Sequence, residues 1–98
     1  AAADPTLRLA TLPVAAGAAE RHALRALRAL PEPPRCFLAL GEAGPEPVVR
    51  LEKVAVNWDD FRIADNAGNR FRDVPIRPRG PAARFATLPV GAIERSLD

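Results

Sequence analysis

The sequence predicts an α+β domain in which one helix packs on a mostly antiparallel, curved sheet of four to six short strands. Three observations predict it. A single segment, residues 18–30, carries apolar residues at helical spacing. The runs on either side of it are short and apolar, with the alternation of half-buried strands. Clusters of Pro, Gly, Asn and Asp separate those runs, as turns do. A strand, a helix and then several strands place one helix against one face of an antiparallel sheet.

The first strand is expected in "TLRLATL", where Leu7, Leu9 and Thr11 alternate with Arg8, Ala10 and Leu12, and Pro13 ends it. In the helix, Leu24, Leu27 and Leu30 form one stripe, while Arg21, Arg25 and Arg28 form another. Pro31 stops it, because the residue before a proline is pushed out of the α region. "RCFLAL" reads as a short buried strand and "GEAGPEP" as the turn after it. In "VVRLEKVAVNW" the alternation changes phase near Glu52 and Lys53, which a bulge there would accommodate. "FRIADNAGNRFRDVPI" predicts a hairpin over 61–76 around an Asn/Gly turn, with Phe61, Ile63 and Phe71 facing the core and Arg62, Arg70 and Arg72 facing out. "RFATLPV" is the last expected strand. Residues 1–98 then form one small domain, with 1–5 and 91–98 as extended tails.

One phrase occurs twice. Ala10-Thr11-Leu12-Pro13-Val14 returns as Ala86-Thr87-Leu88-Pro89-Val90, each copy followed by Gly-Ala and Glu-Arg within seven residues. Proline ends a strand, glycine lets the chain turn, and an acid early in a following helix meets the positive end of its dipole. Both copies predict strand-to-helix elbows at equivalent positions of the sheet.

Composition removes several chemistries. The 98 residues carry a formal charge of +2, and thirteen of the fourteen basic residues are Arg, Lys53 being the exception. Cys36 is the only cysteine, which excludes an internal disulfide and a clustered thiolate zinc site. No apolar run approaches the roughly 20 residues of a membrane span. The only serine, Ser96, lies in the last three residues, a poor place for a nucleophile in a formed pocket. His22 shares a helical face with Ala26 and Ala29, so a structural histidine fits it better than a partner for Cys36. Asp59, Asp60, Asp65, Asn66, Asn69 and Asp73 are acidic or amide-rich but lack the alternate spacing of a calcium loop, and they read as turn caps. No phosphate loop or dinucleotide fingerprint occurs.

These absences predict a protein that is not an enzyme and uses neither cofactor nor metal. The expected function is a non-catalytic structural or interaction subunit docking onto a larger protein assembly, or onto copies of itself. The alternative is a nucleic-acid-binding module using an Arg-rich hairpin and loop over 70–84. In either case the partner-binding residues are Arg70, Arg72, Arg77, Arg79 and Arg84, set against the single acid Asp73.

Overall fold

The computed structural model describes residues 6–42 and 44–97, so the expected tail at 1–5 lies outside the described residues. Four elements form among the described residues: helix α1 at Ala18–Arg28, strand β1 at Val54–Val56, strand β2 at Ala83–Phe85 and helix α2 at Val90–Ser96. They belong to two compact units. The first combines Ala1–Leu38 with Phe61–Arg70, and the second combines Ala39–Asp60 with Phe71–Asp98.

In the first unit the leading elbow turns at Gly17, whose φ of 75° lies in the left-handed region that glycine enters without steric cost. The Ala19 and Arg21 amides donate to the carbonyls of Ala15 and Gly17, both at 3.0 Å, which starts the helical ladder. Glu20 sits in the first turn of α1, and Arg25 and Arg28 in the last, each at the end of the dipole that favours its charge. At the other end the Ala29 amide reaches the Arg25 carbonyl before the prolines take over. Leu24, Leu27 and Leu30, with Pro31, Pro33, Pro34 and Phe37, line an open cleft of about 470 Å³.

In the second unit β1 and β2 pair antiparallel, with Val54 opposite Phe85, Ala55 opposite Arg84 and Val56 opposite Ala83. The ladder is extended at both ends, where the Ala86 amide donates to the Lys53 carbonyl and the Asn57 amide to the Ala82 carbonyl, each at 2.8 Å. Pro89 (φ −76°, ψ 76°) then occupies the centre of an inverse γ-turn, closed by the Val90 amide on the Leu88 carbonyl at 2.8 Å, and α2 begins at once. Both copies of the repeated phrase are therefore helix-entry elbows. Among the described residues only the second follows a strand.

Among the described residues the expected four-to-six-strand sheet is corrected to a two-stranded one and the single helix to two, with α2 standing where an extended tail was expected from residue 91. The segments at 7–12, 36–40 and 61–64 join no ladder among the described residues. Apolar alternation records which face of a strand can be buried; it does not supply the neighbour that a ladder needs. The expected hairpin over 61–76 fails in a specific way. Its Asn/Gly turn forms, with the Asp65 amide donating to the Asn69 carbonyl at 2.8 Å and Gly68 at φ 84°, but its flanks do not pair. The one isolated bridge among the described residues joins Asp59, before the expected first strand, to Val74, inside the expected second. Asp73, at φ 53°, takes a conformation that interrupts a regular strand.

No described residue is buried, and Phe71, expected in the core, is 44% exposed. The chain presents 9077 Å² of surface. A compact monomer of its mass would present about 5,400 Å². Most of its apolar residues therefore lack the cover that a finished domain provides.

Candidate functional site

Polar side chains converge at two places, one in each unit. In the first unit the centre is Asp65. One carboxylate oxygen accepts the Ala16 amide at 2.7 Å and the Asn69 side-chain amide at 3.1 Å. The other accepts the backbone amides of Ala67 at 3.0 Å and Asn69 at 2.8 Å. The Asn66 amide adds a 2.9 Å bond to the Val14 carbonyl. A turn at 65–69 is thus fastened to the elbow at 14–16, forty-nine residues earlier in sequence. The Ala16 amide above all, with those of Asn69 and Ala67 and the Asn69 side chain, holds the Asp65 carboxyl below its ordinary range, against the opposing effect of burial.

In the second unit the chain leaving β1 carries Asn57, Trp58, Asp59 and Asp60 in succession. Asn57 works as a peptide mimic: its side-chain amide donates to the Arg77 carbonyl at 2.7 Å, and its carbonyl accepts the Arg77 amide at 2.8 Å. The Trp58 indole donates to Asp73 at 3.1 Å. Asp59 and Val74 exchange backbone bonds at 2.7 and 3.0 Å. Asp60 accepts the Arg72 guanidinium at 2.8 Å and the Asp73 amide at 3.2 Å. Four consecutive residues after a strand are therefore each tied to the segment 72–77. The result is a rigid polar rim beside a concavity of about 240 Å³, lined among others by Asn57, Ile76, Arg77, Gly80 and Arg84.

The five arginines expected to bind a partner fall into different settings. Arg77 and Arg84 line that concavity together. Arg72 is held by Asp60, and Arg79 is exposed on the loop before Gly80. Arg70 lies in the first unit, where its guanidinium donates to the Phe61 carbonyl at 3.3 Å. Cys36 is exposed, and among the described residues no hydrogen bond joins it to His22, itself exposed on α1. The described residues contain no cluster of three His, Cys, Asp or Glu able to hold a metal ion, and no described helix is long and apolar enough to cross a membrane.

The family described as Pyroglutamyl peptidase matches residues 2–98. The chain belongs to the pyroglutamyl peptidase family. Among its relatives, the pyrrolidone-carboxylate peptidase of Bacillus cereus (strain AH820) is 50% identical over 64 residues, which are 65% of this chain and 30% of that protein. The pyrrolidone carboxyl peptidase structure from Pyrococcus furiosus is similar at a TM-score of 0.81 and 36% identity, covering 88% of this chain and 40% of its own. That from Thermus thermophilus is similar at 0.75 and 42% identity, covering 87% and 43%. The chain spans less than half the length of these relatives.

Membership in the pyroglutamyl peptidase family corrects four expectations. The fold is that of the pyroglutamyl peptidases, not a self-sufficient one-helix α+β sheet. The family is one of cysteine peptidases, so the expectations of a protein that is not an enzyme, of a non-catalytic interaction subunit and of a nucleic-acid binder all fall. Scarce nucleophiles in 98 residues say little about the chemistry of a fold more than twice as long. Sequence reading took Asp65 and Asn69 as turn caps, as the structure has them, but missed the reach to Ala16 and the centre around Asn57. Asp65 and Asn69 carried a signal, since Asp-Asn-x-Gly-Asn is turn chemistry. Asn57 carried none, because its partners lie twenty residues away.

Proposed function

We propose that this chain is part of a pyroglutamyl peptidase, an enzyme that hydrolyses the amide bond between an N-terminal pyroglutamyl residue and the rest of a peptide. The observation that carries this is the family match across residues 2–98, with the fold of the Pyrococcus furiosus structure kept over 88% of the chain. In a thiol mechanism the sulfur attacks the pyroglutamyl carbonyl, the amine leaves with a proton, and water then releases pyroglutamate from the thioester. The thiol needs a base in hydrogen-bond reach. Cys36 has none among the described residues, so the reacting thiol belongs to the portion of the fold that this chain does not span.

The test is a chimera in which residues 2–98 replace the matching segment of the Thermus thermophilus enzyme. It should hydrolyse a fluorogenic pyroglutamyl amide, and Cys36→Ser should change the rate less than twofold. The prolyl analogue lacks the lactam carbonyl and would leave its hydrogen-bonding group unpaired, so it should be cleaved about 10⁴-fold more slowly. A folded chimera that cleaves neither amide, or loses activity with Cys36→Ser, overturns the reading.

A further inference from the structure

We infer that the apolar face made by Leu24, Leu27, Leu30 and Phe37 is an internal seam of the peptidase, covered by the portion of the fold that this chain does not span. The inference rests on the proposed reading, that the chain works inside a longer peptidase. The face lies wholly in the first unit, where three leucines of α1 and the segment after it meet Pro31, Pro33 and Pro34 around the 470 Å³ cleft. It is partly uncovered: Leu24 is 39% exposed, Phe37 53% and the adjoining Leu38 63%. Arg21 and Arg25 occupy a different stripe of the same helix, while Arg28 and Glu32 stand at the cleft beside its apolar residues. The helix is thus amphipathic, and among the described residues its apolar side is covered only in part, with Leu27 and Leu30 half-buried and Leu24 exposed.

Two observations identify the occupant. An eleven-residue helix is marginal in water unless tertiary packing supports it. Yet α1 stands in a chain that keeps the conformation of relatives more than twice as long, at a TM-score of 0.81. In those relatives 60% of the molecule lies outside the shared part, by the 40% coverage, and is available to cover the face. The magnitude also fits. The surface presented exceeds that of a compact chain of equal mass by about two thirds, on the size scaling of globular monomers. One side of a standard protein–protein interface, about 800 Å², would leave most of that excess uncovered, whereas the remainder of a domain would not.

The test supplies that remainder. The 98-residue chain is coexpressed with the unmatched portion of the Thermus thermophilus enzyme as a separate chain. A one-to-one complex is expected by native mass spectrometry, with amide exchange slowed at 24–30 and 37–38. Leu24→Glu and Phe37→Glu should each weaken the complex at least 100-fold while leaving the circular dichroism of the isolated chain unchanged, and Arg79→Glu should weaken it less than threefold. A homodimer that occupies the face, a complex that leaves 24–38 unprotected, unaltered affinity in both variants, or no complex at all overturns the seam. Where the separate portion is insoluble, the same variants in the single-chain chimera must lower its melting temperature by 10 °C or more, and an unchanged melt overturns the seam equally. Hydrolysis of the pyroglutamyl amide is read in parallel: a complex that forms but does not hydrolyse removes the functional reading and leaves the seam standing.

Discussion

Asp65 shows how much one side chain can organise in a chain with little core. Its carboxylate gathers four donors, one of them the Ala16 amide, and the resulting depression of its pKa makes the fastening dependent on acid. The folded carboxyl titrates below the unfolded one, so the stabilisation is fully present above the ordinary value of about 4 and is lost as pH falls through the lowered folded value. Amide resonances of Ala16, Ala67 and Asn69 should therefore move together below about pH 4. In Asp65→Ala they should already occupy their released positions at pH 7. Shifts that run unchanged through the acid range in the parent chain would show that the carboxylate does not hold this turn. Half of this was legible in "ADNAGN", because Asp, Asn and Gly turn the chain by local hydrogen bonds. That Asp65 reaches Ala16 was not, since nothing local to either residue encodes a partner forty-nine positions away.

The elements divide by the range of the interactions that make them. Helix α1 was expected over 18–30 and forms at Ala18–Arg28, because its bonds, dipole and proline stop all lie within a few residues. Strands were also expected at 7–12, 36–40 and 61–64, and none of these joins a ladder among the described residues. The β1–β2 pair survives because its partners are both inside the chain, and because Asn57 clamps the connection returning to β2. Asn57→Ala removes two side-chain bonds to Arg77 and should cost about 1–2 kcal/mol. Gly80→Ala attacks the same clamp from the other side, since its new Cβ would stand 3.1 Å from the Asn57 amide nitrogen and 3.2 Å from the Arg77 Cβ. Crowding there should cost about 1 kcal/mol or more. Urea unfolding of the peptidase chimera measures both. A double variant that costs no more than the larger single would show the two acting on one clamp, whereas full additivity would separate them.

For the whole chain, the surface decides what stability can mean. With 9077 Å² presented and about 15,200 Å² expected of the unfolded chain, unfolding in isolation exposes only about three fifths of the area that a compact domain of equal mass exposes. The denaturant slope follows newly exposed area. It should therefore fall clearly below that of a compact domain of 98 residues, and rise when the chain is carried within the complete peptidase fold. A slope equal to that of a compact domain would mean that the isolated chain finds its own core. By itself the sequence determined the helix that starts at Ala18 and stops before Pro31, both proline elbows and the turn at 65–69, because each depends on residue type and near neighbours. Only the tertiary structure decided which apolar runs become paired strands, which side chains brace which loops, and that Phe71 and Leu24 stay exposed. Those outcomes depend on contacts between distant residues, and for an apolar face the deciding contact can lie in a part of the fold that the chain does not span.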